Sequence, residues 1–382
     1  MSKSASFRIE NKNFKVDILS SDFQVTSVPR PYKVHWDSET DAFLPVKQLL
    51  QTNNKNLLLV DNYVLGLYLK TKKVDFLKSR TYRAEATEEF KSIENVIKVV
   101  DFLQKNSFTK NEKLVVVGGG ITQDVGAFVG ACYKRGISWT YFPTTLLAMC
   151  DSCIGGKAGI NHNNAKNQLA LFSAPAEVII NPNFLKTLAV REVNSGLGEI
   201  LKLCITGGRD VLDIYSKCVK KGKVVKINNF KPLIQAALSV KKVVIEHDEF
   251  ELNLRRSLNY GHTLGHALEI LSDYKIPHGS AINIGLLIIN EIFYQEGLFN
   301  KADNEEIKKY SYALIEPSAL ATMKEISMQG VAVLLQKDKK TLGNKVTFIG
   351  LKKIGHVISR QFVINQELVN KLELIKRSLF NN

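Results

Sequence analysis

The sequence predicts an α/β fold in which a parallel-sheet domain is followed by a mostly helical domain. Apolar runs of strand length alternate with amphipathic helical patterns over residues 55–190, as expected where helices cover a parallel sheet. Beyond residue 188, long helical patterns dominate and strands become few. A chain of 382 residues is long for one core and is typical of two domains. We therefore expect domains over residues 1–187 and 188–382.

The strands of the first domain indicate where a ligand would bind. A buried strand over residues 55–61 ends in Asp61, at the end of the strand where parallel sheets carry cofactor-facing carboxylates. A second strand runs from residue 114 into Gly118-Gly119-Gly120, ahead of a helix. Backbone N–H groups at such a helix start bind anions, although a triple glycine can equally be a tight turn. We also expect short strands over residues 7–30, a helix over residues 88–103, and strands over residues 137–143 and 178–180.

A segment with glycines and lysines follows between Asp151 and Asn167. Gly155-Gly156-Lys157 and Lys166-Asn167 suit a loop that holds a phosphate with ammonium groups and amide donors. Ala158 stands where a P-loop requires Ser or Thr. A P-loop nucleotide hydrolase is therefore not expected.

The second domain is predicted from several helical patterns and one late strand. We expect helices over residues 191–203, 232–246, 279–293 and 305–314, and a strand over residues 346–350. Glu199 and Lys202, in the first of these helices, are three positions apart and share a face. Such a pair is often a surface salt bridge, but the apolar residues around it argue against full exposure.

Three of the seven histidines lie within seventeen positions. His262 and His266 are four residues apart in a segment, residues 257–269, whose apolar spacing predicts a helix. Both rings would then lie on one helix face. His278 follows in a turn-like Pro-His-Gly sequence. The spacing alone leaves two alternatives open, a shared metal site and two partly buried packing residues.

The overall composition excludes several classes of protein. Apolar residues make up 45% of the chain and charged residues 23%, which is normal for a soluble globular protein. No apolar run is long enough for a transmembrane helix, and the first residues do not resemble a secretory signal. The five cysteines are odd in number, and the Cys150-x2-Cys153 motif lacks a partner motif. A reduced, cytoplasmic protein is expected.

A formal net charge of +15 is the outlier in the composition. It fits an anionic small-molecule substrate together with solvated surface lysines. Nucleic-acid binding would rest on charge alone, because no aromatic residues interleave with the basic clusters. We expect neither a nucleic acid nor a membrane as a partner.

Several motifs, in their order and spacing, resemble those of the 3-dehydroquinate synthases within the wider sugar-phosphate cyclase group. The resemblance covers roughly residues 55–290 and resumes at Asp338-Lys339-Lys340. The motifs are Gly118-Gly119-Gly120-x3-Asp124, Arg135-Gly136, Pro143-Thr144-Thr145, Asp151-Ser152-x2-Gly155-Gly156-Lys157, Gly159-Ile160-Asn161, Lys166-Asn167, Gly196-Leu197-x-Glu199-x2-Lys202, Arg255-x2-Leu258-Asn259-x-Gly261-His262-x3-His266 and Pro277-His278-Gly279.

This resemblance implies a Rossmann-like domain that binds NAD and a helical domain that binds a divalent metal ion, Zn²⁺ or Co²⁺, and the substrate. It implies Glu199, His262 and His278 as metal ligands, in place of a pair formed by His262 and His266. The residues implied for NAD are Asp61, Glu88, Lys91, Gly119, Gly120, Asp124, Thr144, Thr145, Lys166 and Thr187.

The resemblance also implies which side chains bind an anionic sugar-phosphate substrate. The side chains implied for the phosphate are Lys157, Asn167, His266 and either Lys339 or Lys340. Lys241 and Arg255 are implied for the carboxylate. The side chains implied for the hydroxyl groups are Asp151, Lys202 and Asn259. Arg135 is expected to reach the phosphate site of a neighbouring subunit, which implies a homodimer. Arg255, Asn259 and His262 would follow one another by one turn along a single helix.

The implied reaction converts 3-deoxy-D-arabino-heptulosonate 7-phosphate to 3-dehydroquinate by transient oxidation with NAD, β-elimination of phosphate, reduction and intramolecular aldol closure. Arg255 favours a sugar acid, because a guanidinium binds a carboxylate with two hydrogen bonds. Gln123, Gly198 and Leu203-Cys204 depart from the common family pattern beside implied ligands. These departures leave 2-deoxy-scyllo-inosose synthase and 2-epi-5-epi-valiolone synthase as alternatives, and more distantly a metal-dependent polyol dehydrogenase.

Overall fold

A computed structural model describes residues 4–69, 79–163, 165–337 and 343–380. The chain divides into two compact units: an N-terminal unit, Leu19–Leu188, and a C-terminal unit that combines Met1–Ile18 with Ala189–Asn382. The first predicted domain included residues 1–18, and strand pairing corrects this. Strand β1 (Ser4–Ile9) pairs antiparallel with β2 (Lys12–Asp17) and parallel with the late strand His356–Val363.

The N-terminal unit is built on a seven-stranded sheet. The strands and helices of the whole unit are β3 (Phe23–Val25), β4 (Tyr32–Trp36), α1 (Leu44–Thr52), β5 (Leu57–Asp61), α2 (Asn62–Leu69), β6 (Thr81–Ala84), α3 (Ile93–Lys105), β7 (Lys113–Gly118), α4 (Gly120–Cys132), β8 (Ser138–Pro143), β9 (Lys157–His162), β10 (Ala165–Phe172) and β11 (Glu177–Ile180). The sheet order is β3-β4-β11-β8-β7-β5-β6. Every neighbouring pair is parallel except β3 with β4. The α/β prediction is confirmed.

Helix α4 lies close against the centre of this sheet because two of its residues lack a Cβ atom. A Cβ on Gly126 would stand 2.7 Å from Val116, and one on Gly130 would stand 2.7 Å from the ring of Trp139. The start of the helix therefore lies directly at the end of β7, the strand that precedes it. The segment from Lys157 onwards is not a loop, as predicted, but the antiparallel hairpin of β9 and β10.

The C-terminal unit is mainly helical. Its remaining elements are α5 (Val190–Thr206), α6 (Arg209–Cys218), β12 (Val219–Lys220), β13 (Lys223–Val224), α7 (Phe230–His247), α8 (His262–Leu271), α9 (His278–Gln295), α10 (Lys301–Tyr312), α11 (Pro317–Glu325), α12 (Met328–Lys337), β14 (Lys345–Lys353), β15 (His356–Val363) and α13 (Gln366–Phe380). Helix α9 is buried along most of its length, and α5 and α8 both pack against it. A four-stranded sheet, in the order β14-β15-β1-β2, completes the unit.

The predicted helix over residues 257–269 is wrong in its first half. Gly261 adopts a left-handed backbone with φ of +79°, and α8 begins only after it, at His262. The preceding residues, Leu254–Asn259, form a 3₁₀ turn. Arg255 and Asn259 therefore do not share a helix with His262. Within the described residues, no helix is both long and apolar enough to cross a membrane.

Candidate metal and cofactor sites

Three side chains of the C-terminal unit converge on one point. Glu199 lies in the second half of α5, while His262 and His278 are the first residues of α8 and α9. The Nε2 atoms of both histidines lie 3.3 Å from Oε1 of Glu199. One ligand atom from each residue fits within 4.8 Å of the other two. We call Glu199, His262 and His278 the metal triad.

Two glycines allow the helices that carry the triad to approach each other. A Cβ on Gly279 would stand 2.3 Å from Cα of Ser195, so α9 starts directly against α5. A Cβ on Gly198 would stand 2.6 Å from Nδ2 of Asn283, which donates a hydrogen bond to the carbonyl of Gly279. Gly198, a departure from the common family pattern, thus leaves the space that the side-chain amide of Asn283 occupies.

The charge of Glu199 is compensated although the carboxylate is buried. Lys202 Nζ lies 2.5 Å from Oε2 of Glu199, and both side chains are at most 3% exposed. The alternative of a surface salt bridge is wrong for this pair. Burial by itself would raise the pKa of Glu199, but the ammonium of Lys202 and the two histidines hold that pKa well below its ordinary value.

The geometry of the triad fits a metal ion. Both oxygens of Glu199 are buried and, among the described residues, neither receives a well-directed hydrogen bond. Nζ of Lys202 and Nε2 of His262 and His278 instead lie at ion-pair distance from these two oxygens. One carboxylate and two imidazoles are a donor set that zinc accepts, and they leave coordination positions for substrate, as a catalytic site requires.

Each histidine of the triad has a second partner at Nδ1. His262 Nδ1 lies 3.2 Å from the carbonyl oxygen of Tyr260, and His278 Nδ1 lies 3.2 Å from Oε1 of Glu269. Burial lowers the pKa of His278, but its contacts with Glu199 and Glu269 raise it to about 10 overall. Burial, followed by the charge of Lys202, lowers the pKa of His262. Glu269 was not among the predicted site residues, although its position seven residues after His262 on a helix places both on similar faces.

The predicted substrate residues Arg255 and Asn259 lie on the 3₁₀ turn before α8. Asp248 holds this turn, because its carboxylate accepts the backbone N–H groups of Leu252, Asn253 and Arg255 at 2.8–2.9 Å. Burial would raise the pKa of Asp248, but these hydrogen bonds lower it. Asn259 Nδ2 donates to Oε1 of Glu251 at 2.8 Å. The predicted residues did not include Asp248 or Glu251, since neither forms a spacing pattern with its partners.

Lys241 and Arg255, the two residues predicted to bind the substrate carboxylate, are both buried in the C-terminal unit. Arg255 donates from Nη1 to the carbonyl of Glu249. His266 is exposed, and its ring centre lies 5.2 Å from that of His262 and 6.1 Å from that of His278. The structure therefore brings His266 to the metal triad. Lys339 and Lys340 lie outside the described residues.

In the N-terminal unit, several of the predicted NAD residues form one network. Lys91 Nζ lies 2.7 Å from Oδ2 of Asp124 and 3.0 Å from Oδ1 of Asn167. Lys166 Nζ lies 3.9 Å from Oε1 of Glu88. Burial raises the pKa of Asp124, against the opposing effect of Lys91. We call the predicted NAD residues Glu88, Lys91, Asp124 and Lys166, together with Asn167, which was predicted for the substrate phosphate, the cofactor cluster.

Asn161 connects the parts of the cofactor cluster. Its side-chain amide donates to Oε1 of Glu88 at 2.8 Å, and its side-chain oxygen accepts the backbone N–H of Asn167 at 3.0 Å. Its own backbone N–H donates to the carbonyl of Lys91 at 2.7 Å. Asn161 belongs to one of the motifs that carry the family resemblance, but no role was predicted for it. Its position on β9 was hidden because this segment was expected to be a loop.

The other predicted NAD residues surround the start of α4 or lie at strand ends. A Cβ on Gly119 would stand 3.0 Å from Cγ2 of Thr145, and the backbone N–H of Thr144 donates to the carbonyl of Gly118 at 3.0 Å. Gly120 is the first residue of the helix. Asp61 ends β5, and burial raises its pKa. Thr187 ends a 3₁₀ turn, Pro182–Thr187.

The remaining predicted residues, Asp151, Lys157 and Arg135, lie elsewhere on the N-terminal unit. Asp151 is in a single π-helical turn that Gln123 holds through hydrogen bonds of 2.7 and 2.6 Å to Ser152. Lys157 is exposed at the start of β9. Arg135 follows Lys134 in a left-handed backbone with φ of +62°. An open hollow of about 610 Å³ is lined by Thr109, Lys110, Asn111, Lys134 and Arg135.

Comparisons with known proteins agree with the motifs. The N-terminal part of 3-dehydroquinate synthase matches residues 81–195, and the C-terminal part matches residues 196–341. A 3-dehydroquinate synthase from Nostoc sp. is 34% identical over 316 residues, which cover 79% of this chain and 85% of the relative.

Solved structures show the same fold. A 2-deoxy-scyllo-inosose synthase, complexed with carbaglucose-6-phosphate, NAD⁺ and Co²⁺, has a TM-score of 0.76 at 19% identity, covering 94% of this chain and all (100%) of the other. A 2-epi-5-epi-valiolone synthase from Streptomyces hygroscopicus, with NAD⁺ and Zn²⁺ bound, has a TM-score of 0.74 at 20% identity, covering 94% and 99%. The matched regions and the Nostoc relative show that the chain belongs to the 3-dehydroquinate synthase family.

Proposed function

We propose that the protein is a 3-dehydroquinate synthase that binds NAD⁺ and one divalent metal ion, Zn²⁺ or Co²⁺. The observation that carries the proposal is the metal triad in a chain of this family, with two Nε2 atoms 3.3 Å from one oxygen of the buried Glu199. The substrate would be 3-deoxy-D-arabino-heptulosonate 7-phosphate, and the products 3-dehydroquinate and phosphate.

Each unit would hold one of the two bound groups. Glu199, His262 and His278 would hold the metal ion, and the start of α4 together with the cofactor cluster would hold NAD⁺. When bound, the metal supplies Lewis-acid polarisation and NAD⁺ supplies reversible hydride transfer. The related cyclase structures, which carry NAD⁺ with Co²⁺ or Zn²⁺, support this assignment.

The residues of this chain would bind and orient an anionic substrate. Lys241 and Arg255 are buried cations that would pair with the carboxylate of a sugar acid. Lys202 would keep a positive charge next to the metal triad, where oxygen atoms of the substrate bind. His266, Lys157 and Asn167 would bind the phosphate. Asp151 and Asn259 would bind hydroxyl groups.

A substrate panel tests this function directly. Purified protein with NAD⁺ and Zn²⁺ or Co²⁺ is expected to release phosphate from 3-deoxy-D-arabino-heptulosonate 7-phosphate, without net formation of NADH. Phosphate release from glucose 6-phosphate or sedoheptulose 7-phosphate instead would assign the protein to a sibling cyclase. Stoichiometric NADH formation from a polyol would identify a dehydrogenase.

The role of Arg255 is tested by a single substitution. We expect Arg255→Ala to raise the KM for the sugar acid roughly 100-fold, because a buried charged partner of the carboxylate is lost. Arg256 is the adjacent, exposed arginine, and Arg256→Ala is therefore the matched control with a near-normal KM. Steady-state kinetics with both variants checks this, and an unchanged KM for Arg255→Ala would refute the carboxylate assignment.

We further propose a homodimer in which Arg135 serves the neighbouring active site. A mixture of Arg135→Ala and His262→Ala subunits tests it, because each variant alone has no complete site. In the mixed dimer, one site would combine an intact His262 with an intact Arg135 from the partner. Random reassociation then restores roughly a quarter of the wild-type activity. No recovery after mixing would show that Arg135 acts within its own subunit, and full activity of Arg135→Ala alone would show that it has no role.

A further inference from the structure

We propose that Glu269 is a positioning residue that fixes the ring of His278 for metal binding. The inference rests on the metal centre of the proposed function and adds a residue to it. Glu269 lies in the last part of α8 and is not one of the three metal ligands. It acts through His278, the first residue of α9.

The ring of His278 lies between two carboxylates. Its Nδ1 is 3.2 Å from Oε1 of Glu269, and its Nε2 is 3.3 Å from Oε1 of Glu199. A neutral imidazole carries one N–H, so a proton on Nδ1 that is donated to Glu269 leaves the Nε2 lone pair for a metal ion. Glu269 thus selects the tautomer in which Nε2 is directed at the centre of the triad.

His262 shows the same arrangement with a different partner. Its Nδ1 lies 3.2 Å from the carbonyl of Tyr260, and its Nε2 points to the same oxygen of Glu199 at 3.3 Å. In both rings, therefore, Nδ1 lies at hydrogen-bond distance from an acceptor and Nε2 is directed at Oε1 of Glu199. Outer partners of this kind orient metal-binding histidines and raise their basicity. A carboxylate does this more strongly than a carbonyl because the hydrogen bond is charge-assisted.

The packing of α8 on α9 brings Glu269 to His278. A Cβ on Gly265 would stand 2.9 Å from Cδ1 of Ile282, and one on Gly285 would stand 2.1 Å from the carbonyl oxygen of Gly261. The two helices can therefore lie against each other at short distance. The position of Glu269 is set by the helix pair and not by a flexible loop.

A rival assignment is a second metal site formed by His266, Glu269 and His278, whose ligand atoms also lie within 4.8 Å of one another. These residues are more exposed than the metal triad. A ring that already binds one ion through Nε2 could bind another through Nδ1 only after losing both protons. A neutral imidazole does not offer two lone pairs. We therefore assign Glu269 the role of hydrogen-bond acceptor.

Zinc affinity of the metal-free full-length protein, measured by competition with a chromophoric chelator, tests the proposal without substrate. We expect Glu269→Ala to weaken zinc binding about 10- to 100-fold. Glu269→Gln should weaken it less, because the amide oxygen still accepts a hydrogen bond. Glu291→Ala is the matched control: Glu291 is 12% exposed against 13% for Glu269, and it pairs with Lys308 on α10.

Combining Glu269→Ala with His278→Ala shows whether Glu269 acts by positioning the ring of His278 or only by packing. In the His278→Ala background, adding Glu269→Ala should cause no further loss of zinc affinity, because the ring that Glu269 orients is already gone. Wild-type zinc affinity in Glu269→Ala, or an equal further loss in the His278→Ala background, would overturn the proposal. So would two zinc equivalents in the wild type and one in Glu269→Ala. A normal zinc result without phosphate release would contradict the proposed reaction but not the role of Glu269.

Discussion

The metal triad of the C-terminal unit and the cofactor cluster of the N-terminal unit contain similar side chains but differ in how they are satisfied. In the cofactor cluster, Lys91 bonds to both Asp124 and Asn167, so charged and polar groups complete one another. In the triad, the buried oxygens of Glu199 receive no well-directed hydrogen bond from the described residues. In the metal triad, Glu199 is neutralised by charged groups at ion-pair distance, whereas the cofactor cluster is a framework whose groups are joined by hydrogen bonds and an ion pair.

The difference indicates how each region would bind its ligand. The triad offers side-chain donor atoms directly, since two imidazole nitrogens and a carboxylate meet at one point. The cofactor cluster lies in the same unit as the start of α4, where Gly119 and Gly120 leave the backbone accessible. A ligand there would be bound mainly by backbone N–H groups and the helix dipole. Substitutions should therefore act very differently in the two regions.

The largest expected effect is the loss of the metal from the triad. His262→Ala removes one of three ligands, so we expect at least about a 100-fold loss of zinc affinity, together with loss of phosphate release. NAD⁺ affinity should stay unchanged, because the cofactor cluster belongs to the other unit. Metal analysis after dialysis and NAD⁺ titration check this. His266→Ala is the control, and it should retain zinc but raise the KM; equal zinc loss in both variants would contradict the ligand assignment.

A smaller effect is expected from breaking the cofactor cluster. Lys91→Met leaves Asp124 without its ammonium partner, and we expect a loss of about 2 kcal/mol in the free energy of unfolding of the N-terminal unit. Both tryptophans, Trp36 and Trp139, lie in that unit, so tryptophan fluorescence during denaturant unfolding reports on it. Zinc affinity should not change. Reduced zinc affinity with normal unfolding would contradict the expectation that Lys91 supports the N-terminal unit and has no effect on the metal triad.

Local patterns in the sequence predicted much of the fold and part of the sites. The strand that ends at Gly118, the helix after it and the buried strand before Asp61 all follow from hydrophobic periodicity. The family resemblance implied Glu199, His262 and His278 as metal ligands, and the structure brings these three side chains together. Spacing alone left open whether His262 and His266 share a metal ion or only pack, because a pattern along one helix cannot show a ligand from another helix.

Features that depend on distant contacts could not be predicted in this way. Residues 4–9 pair with a strand that begins at residue 356, and no local pattern contains that pairing. The left-handed φ of Gly261 interrupts an otherwise regular helical pattern, since a glycine is also tolerated within a helix. Glu269 gains its role only when α8 lies against α9. In each case the deciding contact is tertiary, and periodicity reports only local preference.

The smallest expected effect concerns the helix contact beneath the triad. Gly198→Ala gains helix propensity, but its Cβ would stand 2.6 Å from Nδ2 of Asn283 and 3.0 Å from the carbonyl oxygen of Gly279. These opposing effects should leave the free energy of unfolding within about 1 kcal/mol of wild type. Zinc affinity should still fall, because α9 must shift and His278 is its first residue.

Two further variants make that last effect specific. Gly198→Ala combined with Asn283→Ala removes the crowded amide and should restore part of the zinc affinity. Gly126→Ala on α4 crowds Val116 at a similar distance of 2.7 Å but in the N-terminal unit, so it should leave zinc binding unchanged. If Gly198→Ala bound zinc as the wild type does, the close approach of α5 and α9 would not control the triad. The departure at Gly198 would then have no consequence for the metal site.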